Sequence, residues 1–306
     1  MGAGFRIGVD LGGTKIEAAV LDTAGRVRLR RRVPTPRGDY PGTIAAIRSL
    51  VEAIDGELGV HATVGIGIPG TIIAATGLVK NANSTWLIGQ PLAADVERAL
   101  GRPARFANDA NCFALSEAAD GAAAGASCVF GVILGTGVGG GIAIDGRILA
   151  GANAIAGEWG HNPLPAPQGD ELPGPLCYCG RRGCIETFLS GPGLAADHNR
   201  HTGQALTAPG IAARAGTGDP DCRASLDRYA DRLARALAVV INILDPDAIV
   251  LGGGLSQLGF LYDEVPRRWG THVLSDPIVT RLLPPRHGDS SGVRGAAWLW
   301  RPEETP

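Results

Sequence analysis

Three cysteines and a histidine are grouped between residues 158 and 186. Cys177, Cys179 and Cys184 fall within eight residues, and His161 lies 16 positions (177 − 161) before the first of them. Three thiolates and one imidazole form the closed tetrahedral ligand set that structural zinc prefers. Glycines between the cysteines permit the tight turns that return the last cysteine to the ion. The spacing therefore predicts a structural zinc site, with buried free thiols as the alternative.

Two carboxylates flank this group. Glu158 is three residues before the histidine, and Glu186 is two residues after the last cysteine. Carboxylate oxygens accept hydrogen bonds, so two carboxylates fixed by a nearby ion can bind the hydroxyls of a sugar. A closed zinc site has no position for a catalytic water, and the predicted ion is therefore structural. The alternative is that both glutamates are surface charges.

A short glycine-containing motif occurs twice, at an offset of 123 residues (131 − 8). The segment 8–14 aligns with 131–137, and each copy combines an apolar strand, a glycine turn and a returning strand. Such a repeat predicts two similar lobes, each built on an antiparallel meander. We place the first lobe at 1–122 and the second at 123–291, which includes the zinc segment 158–186. The C-terminal helix, 292–306, is predicted to pack back on the first lobe.

The two glycine turns are candidate phosphate-binding loops, because backbone N–H groups can approach an anion only where no side chain intervenes. Asp10 precedes the first turn and has Ile133 at the equivalent position of the second copy. Asp10 is predicted to orient Mg²⁺ on the nucleotide phosphates. The alternative is that it has no role beyond ending a strand. A further glycine run, at 252–254, follows a predicted strand. It would allow the adenosine of a bound nucleotide to lie against the backbone, and the alternative is a plain turn. The candidate nucleotide-binding residues are Asp10, Gly12, Gly13, Thr14, Lys15, Gly135, Thr136, Gly137, Gly253 and Gly254.

Asp109 opens a predicted helix, 109–119, directly after a predicted strand. An acid at this point can accept the proton of a sugar hydroxyl as that hydroxyl attacks the γ-phosphoryl group of a nucleotide. The alternative is a helix N-cap. The polar segment after Lys80 adds the amides of Asn81 and Asn83, which could bind sugar hydroxyls or belong to an ordinary loop.

The second glycine turn also fits a dinucleotide-binding fingerprint. Residues 135–140 match G-x-G-x-x-G, and Glu158 follows 18 residues later (158 − 140). That fingerprint requires a helix after its third glycine. The next residues, 141–146, instead predict a strand and a hairpin turn, which argues against NAD binding.

Composition narrows the class of protein further. The chain has 306 residues, a net charge of −2 and 45% hydrophobic residues. The absence of a basic excess argues against a nucleic-acid partner, and no segment is apolar over the length of a membrane span. Cys112, Cys128 and Cys222 are scattered, which favours free thiols in a reducing compartment. These features predict a cytoplasmic protein.

Taken in order along the chain, the motifs resemble those of the ROK family (repressors, open reading frames, kinases). The segments that carry the resemblance are 10–15 (DLGGTK), 67–70 (GIPG), 108–111 (NDAN), 134–141 (LGTGVGGG), 158–161 (EWGH) and 177–186 (CYCGRRGCIE). The resemblance implies an α/β protein with an actin-like ATPase fold, two RNase H-like lobes and a nucleotide and sugar cleft between them. It further implies ATP with Mg²⁺ as cofactor and phosphorylation of a sugar at its 6-hydroxyl.

The resemblance also implies roles for individual residues. Asp109 becomes the base, and sugar is contacted by Asn83, Asn108, Asp109, Glu158, His161 and Glu186. Zinc is bound by His161, Cys177, Cys179 and Cys184, so that the histidine serves both metal and sugar. Members of the family are often homodimers. Its repressors carry an N-terminal helix-turn-helix, for which the predicted first strand at Phe5 leaves no room.

Three stretches, 80–87, 157–165 and 287–298, resemble the bacterial fructokinases (manno(fructo)kinases) of the family. We therefore expect an ATP-dependent hexose kinase, with fructose as the expected substrate. The alternatives are a glucokinase, a mannokinase or an N-acetylglucosamine kinase of the same family, or a sugar sensor without catalysis.

Overall fold

A computed structural model describes residues 4–304. The chain divides into two units, each of which packs mainly on itself. Unit 1 comprises the residues up to 125, 141–156 and those from 286 onward, and unit 2 comprises 126–140 and 157–285. The segment 141–156, which the sequence placed in the second lobe, groups with unit 1. Its Gly141 packs so closely on the backbone of Ala110 that a side chain there would overlap it.

The described residues form strands of two to eight residues and helices of four to 25 residues. The strands are β1 (Arg6–Leu11), β2 (Lys15–Leu21), β3 (Val27–Pro34), β4 (Thr63–Ile68), β5 (Thr71–Ile72), β6 (Val79–Lys80), β7 (Ala104–Asn108), β8 (Cys128–Leu134), β9 (Val138–Ile144), β10 (Arg147–Ile148), β11 (Ala248–Gly252) and β12 (Arg281–Leu283). The helices are α1 (Tyr40–Leu58), α2 (Leu92–Leu100), α3 (Asp109–Ala119), α4 (Glu186–Leu189), α5 (Gly191–Thr202), α6 (Ala208–Gly216), α7 (Pro220–Leu244), α8 (Leu261–Trp269) and α9 (Ser291–Trp298). None of the described helices is long and apolar enough to cross a membrane.

Two five-stranded sheets share one topology. The first has the order β3-β2-β1-β4-β7 and the second the order β10-β9-β8-β11-β12. In the first sheet the three initial strands are antiparallel neighbours, while β4 and β7 are added in parallel. In the second sheet β11 and β12 likewise run parallel to β8 and to each other. The two copies of the glycine motif follow β1 and β8, so the sequence repeat marks equivalent strands.

Two helices begin at a polar cap that lies before their apolar stripe. Helix α1 starts at Tyr40, where the Asp39 side chain accepts a hydrogen bond from the backbone N–H of Gly42. Helix α7 starts at Pro220, where Asp219 caps two backbone N–H groups. Polar caps and N-terminal prolines begin a helix without adding to its apolar stripe, so spacing alone misses the first turn.

The apolar core of unit 1 is closed by α9, which packs on β1, β4 and α3. The helix approaches the sheet closely because glycine lies at the contact. A Cβ atom at Gly65 of β4 would overlap the carbonyl oxygen of Ala296, and a Cβ atom at Gly295 would overlap that of Cys112. The obstructing atoms are backbone, which cannot move aside without shifting the helix.

We expect Gly65→Ala to destabilise the protein by roughly 2 kcal/mol or more, since added volume in a close-packed core forces a backbone shift. Thermal unfolding measures this as a lower midpoint. Gly56→Ala is the matched control, because that glycine lies on the exposed side of α1 with nothing near its Cβ position. Alanine there favours the helix by up to about 1 kcal/mol. An unchanged midpoint for Gly65→Ala would contradict the packing described.

Candidate functional site

The predicted functional residues are distributed over both units. Unit 1 carries Asp10, the first glycine turn, Asn81, Asn83, Asn108 and Asp109. Unit 2 carries the second glycine turn, Glu158, the cysteine group, Glu186 and the glycine run after β11.

In unit 1, an asparagine and an aspartate lie next to each other where β7 ends and α3 begins. Asn108 caps α3, with its Oδ1 accepting from the Ala110 N–H at 2.9 Å and its Nδ2 donating to the Gly70 carbonyl at 3.0 Å. Asp109 is the first helical residue, and its Oδ1 also accepts from the Ala110 N–H, at 2.8 Å. The alternative that Asp109 is the N-cap is therefore wrong, because the preceding asparagine has that role.

Two carboxylates of unit 1 influence each other. Burial and the nearby Asp109 carboxylate raise the pKa of Asp10 to about 6. The Asp109 side chain has an exposed face, and the protein packed around it raises its pKa as well. A bound divalent cation would offset the repulsion between these acids. The pair thus fits the predicted Mg²⁺ site, and a raised pKa suits Asp109 to accept a proton near neutral pH.

The first glycine turn exposes its backbone between β1 and β2. It is closed by a hydrogen bond from the Gly12 N–H to the Lys15 carbonyl at 3.0 Å, and residues 13–15 are exposed. Arg37 donates to the Gly13 carbonyl at 2.9 Å, which adds a second cation beside Lys15. Open amides with two cations nearby suit phosphate binding. Sequence reasoning missed Arg37, which lies in a loop far from any motif.

A cavity of about 240 Å³ adjoins Asn108 in unit 1. Its walls are largely apolar and include Ile72 and Ala150. The Asn111 side chain also lines it, and its buried Oδ1 has no hydrogen-bond partner among the described residues. Asn83, the other predicted sugar contact of the first lobe besides Asn108 and Asp109, is exposed in the loop after β6.

In unit 2, Glu186 is connected to the second glycine turn. Its Oε2 accepts from the Val138 N–H at 2.9 Å, and a Cβ atom at Gly137 would lie only 2.7 Å from that oxygen. The turn itself closes through the Gly135 N–H and the Gly137 carbonyl at 3.0 Å. Glu186, a predicted sugar contact, therefore forms a hydrogen bond with the backbone of a predicted phosphate-binding loop. The chain after this turn continues as β9, so the helix required by the dinucleotide fingerprint is absent, as predicted.

A cavity of about 730 Å³ lies beside this turn in unit 2. Gly135, Thr136 and Gly254 line it together with small and apolar residues of α5 and α6. Gly253 turns the chain into the cavity wall with φ +78°, where a side chain would overlap the Leu134 carbonyl. The volume and lining suit a nucleoside. Sequence reasoning did not find the two helices, since α5 opens with Gly-Pro-Gly and carries little apolar periodicity.

The cysteine group is brought together as the sequence predicted. One donor atom from each of its four residues lies within 4.8 Å of the others. Cys179 and Cys184 have their sulfurs 3.6 Å apart, and the Cys177 sulfur is 3.5 Å from Nδ1 of His161. These separations match the edge of a tetrahedron around an ion held at about 2.3 Å by sulfur.

The thiols themselves favour a bound cation. A hydrogen bond from the Arg181 backbone lowers the pKa of Cys179 to about 6. Burial and the neighbouring Cys179 sulfur raise the pKa of Cys184 to about 12. Three thiols this close cannot all ionise without a positive charge among them, which supports the proposal of zinc.

Tyr178 stands between two of the cysteines. Its side chain is 83% exposed, and its hydroxyl lies 2.9 Å from Nε2 of His161. The two rings meet edge to face with centroids 5.0 Å apart. The protein packed around the hydroxyl, followed by the Glu186 carboxylate, raises the pKa of Tyr178. The Glu158 carboxylate contributes in the same direction.

Comparison with known proteins identifies the family of the chain. The ROK family profile matches residues 6–303. A protein named N-acetyl-D-glucosamine kinase from Yersinia pseudotuberculosis (serotype O:1b, strain IP 31758) is 45% identical over 296 residues, covering 95% of this chain and 97% of that protein. A protein of the same name from Salmonella typhimurium is 43% identical over 296 residues, covering 95% and 98%.

Two solved structures are similar over nearly the whole chain. The ROK hexokinase from Thermus thermophilus has a TM-score of 0.85 and 30% identity, covering 96% of this chain and 97% of that one. The ROK glucokinase from Streptomyces griseus, in complex with glucose and AMPPNP, has a TM-score of 0.75 and 30% identity, covering 97% and 99%.

The chain belongs to the ROK family and has the actin-like ATPase fold of these neighbours. Within that family it is an ATP-dependent sugar kinase. The family and the fold predicted from the sequence are thereby confirmed, while the choice of sugar is a separate question.

Proposed function

We propose that the chain is an N-acetylglucosamine kinase that transfers the γ-phosphoryl group of ATP to the 6-hydroxyl of the sugar. The observation that carries this choice of substrate is the 45% identity, over 95% of the chain, with a protein named N-acetyl-D-glucosamine kinase. Asp109 accepts the hydroxyl proton as the sugar oxygen bonds to the γ-phosphorus. The bond from that phosphorus to the bridging oxygen then breaks, and ADP leaves.

Each half of the site contributes to binding ATP in this proposal. The cavity beside Gly135 and Gly254 receives the adenosine, and the two glycine turns present N–H groups to the phosphates. Asp10 orients Mg²⁺, which neutralises charge on the transferred group. Lys15 and Arg37 add positive charge at the first turn.

The sugar is bound by Asn83, Asn108 and Asp109 from unit 1 and by Glu158, His161 and Glu186 from unit 2. Zinc at the cysteine group fixes the unit 2 residues, because each lies within three positions of a metal ligand or is one. The ion acts through position and takes no part in the phosphoryl transfer.

The cavity beside Asn108 supports an acetamido substituent on the sugar. Its apolar residues, among them Ile72 and Ala150, can pack against the methyl group. A plain hydroxyl at the same position would leave most of the 240 Å³ unfilled.

The experiment that tests the substrate is ADP release with ATP, Mg²⁺ and N-acetylglucosamine, glucose, mannose or fructose. We expect kcat/KM for N-acetylglucosamine to exceed the others by about tenfold or more, which corresponds to roughly 1.4 kcal/mol. A preference for fructose would establish the second candidate, which the stretches 80–87, 157–165 and 287–298 favour. No turnover with any of the four would contradict both.

A side chain that fills the nucleoside cavity tests the ATP half of the site. Ala195 of α5 lines that cavity, whereas its neighbour Ala196 is exposed. We expect Ala195→Phe to raise the KM for ATP about tenfold or more, since the ring occupies space the nucleoside needs, with little change in the KM for sugar. Ala196→Phe is the matched control and should behave as the wild type. Equal effects of both substitutions would place the nucleoside elsewhere.

Two other predictions from the sequence concern assembly and location. We propose a homodimer, which sedimentation analysis would test, and a cytoplasmic location. Both rest on the resemblance and the composition described above.

A further inference from the structure

We propose that a buried ion cluster on helix α7 is a positioning element for the zinc site and, through that site, for sugar binding. The cluster consists of Arg232, Arg235 and Glu171, each of which is at most 6% exposed. None of the three belongs to the segments that carry the ROK resemblance. The inference rests on the proposed sugar-kinase function and on the proposed zinc ion.

The Glu171 carboxylate is the centre of this cluster. Its Oε1 accepts hydrogen bonds from Nε of Arg232 and Nη2 of Arg235, both at 2.7 Å. Its Oε2 accepts from the backbone N–H of Gln168 at 2.8 Å. Arg232 also pairs with the buried Asp197, whose Oδ1 lies 2.8 Å from Nη1. Guanidinium groups and carboxylates therefore offset each other's charge in a buried part of unit 2.

The cluster fixes the loop 162–176, which joins the histidine of the proposed zinc site to its cysteines. Arg235 donates through Nη1 to the Pro165 carbonyl at 2.8 Å and to the Ala166 carbonyl at 2.9 Å. Glu171 lies further along the same loop, so the arginines contact the loop at two places. A loop held at its middle leaves its ends fewer conformations, and metal binding then requires less ordering of the chain.

Helix α7 also holds the chain that follows the cysteines. The Tyr229 hydroxyl donates to the Leu189 carbonyl at 2.8 Å. The Arg232 guanidinium lies over the Phe188 ring, 5.0 Å from its centroid. Both contacts are made to α4, whose first residue is Glu186. Helix α7 therefore contacts the chain on both sides of the three cysteines.

Backbone hydrogen bonds connect these anchors to the proposed ligands. The Gly160 carbonyl accepts from the Glu186 N–H at 2.8 Å. The Asn162 carbonyl accepts from the Ile185 N–H at the same distance. These two carbonyls lie on either side of His161, so a shift of the loop or of α4 would move the histidine and Glu186 as well.

The charges of the cluster suit a role in geometry better than one in stability. Taking charged groups out of water is unfavourable, and replacing a buried ion pair by apolar residues is often neutral or stabilising. Guanidinium groups differ from apolar side chains in the fixed directions of their donors, which here point at particular loop oxygens. Loss of the cluster should therefore be measurable as weaker retention of zinc.

The first test is Glu171→Gln in the full-length, zinc-loaded protein, with zinc transfer to a coloured chelator as the readout. We expect zinc to be lost about tenfold faster, an effect common for residues that support a metal site from outside its ligand set. At limiting zinc the KM for sugar should rise and excess zinc should restore it, while the KM for ATP stays unchanged. An unchanged rate of zinc loss would overturn the proposal, and so would a raised KM for sugar that excess zinc does not lower.

Asp55→Asn is the matched control, because it breaks a largely buried ion pair of unit 1. Asp55 is 9% exposed, and its Oδ2 lies 2.7 Å from Nη1 of Arg102. This variant should have a lower thermal midpoint but lose zinc at the wild-type rate. Equally fast zinc loss in both variants would indicate general destabilisation and would overturn the proposal.

Arg235→Lys is a second variant, for the case that Glu171→Gln does not fold. Lysine keeps the positive charge but lacks the planar fork of donors that reaches Glu171 and two carbonyls. It should lose zinc faster than the wild type, and a wild-type rate would overturn the proposal. The chelator measurement needs no substrate, so it decides the proposal even if the protein phosphorylates no sugar. A wild-type protein that binds no zinc would overturn this inference and leave the sugar-kinase function untouched.

Discussion

Asp109→Asn should lower kcat by about 10²- to 10⁴-fold while sugar binding persists, because the substitution removes a general base and little else. Asparagine is nearly isosteric with aspartate, and its side-chain oxygen can still accept the hydrogen bond that the Ala110 N–H now donates at 2.8 Å. The helix start is also preserved, since Asn108 caps it. Steady-state assays give kcat, and titration calorimetry gives the affinity for sugar.

The matched control for this substitution is Asp145→Asn. Asp145 lies in the exposed hairpin turn after β9 with φ +48°, a conformation that asparagine also adopts readily. Its activity should equal that of the wild type. Retained turnover in Asp109→Asn would show that Asp109 is not the base. Loss of sugar binding together with turnover would instead indicate that Asp109 is chiefly a sugar contact.

Cys179→Ser should abolish metal binding and weaken sugar binding by about tenfold or more. Three of the four proposed ligands remain, but a structural zinc site depends on its full set of deprotonated ligands. Without the ion, the Cys184 thiol reprotonates, and the segments that carry Glu158 and Glu186 lose their common anchor. Metal analysis should fall from about one zinc per chain to near zero, and the thermal midpoint should drop.

Cys222→Ser controls for the general cost of replacing a buried thiol. Cys222 is fully buried in α7 and is not a member of the cysteine group. Its substitution is expected to lower the thermal midpoint without changing the zinc content or the KM for sugar. A Cys179→Ser protein that keeps its metal and full activity would contradict the zinc proposal.

The sequence predicted best those elements whose ends are marked by turn residues. Helix α3, at Asp109–Ala119, has the predicted bounds, and strand β2, at Lys15–Leu21, is the returning strand predicted after the first glycine turn. In each case a glycine turn or a capping residue marks where the hydrophobic pattern of the strand or helix begins. The same reasoning could not choose between two adjacent capping residues, so it offered Asp109 where Asn108 forms the cap.

Other features depend on three-dimensional proximity and leave no local pattern. The cavity that we propose for the nucleoside is lined in part by α5 and α6, whose lining residues are glycine, proline and alanine. Arg37 reaches the first glycine turn from a loop 24 residues away (37 − 13).

The most direct test of the central claim is to identify the product formed from ATP, Mg²⁺ and N-acetylglucosamine by phosphorus–proton correlation NMR. We predict coupling of the new phosphate to the protons on carbon 6 of the sugar, with one ADP released for each sugar phosphorylated. Phosphate on another carbon would contradict the proposed attack by the 6-hydroxyl. ADP release without a phosphorylated sugar would contradict the account of this chain as a sugar kinase.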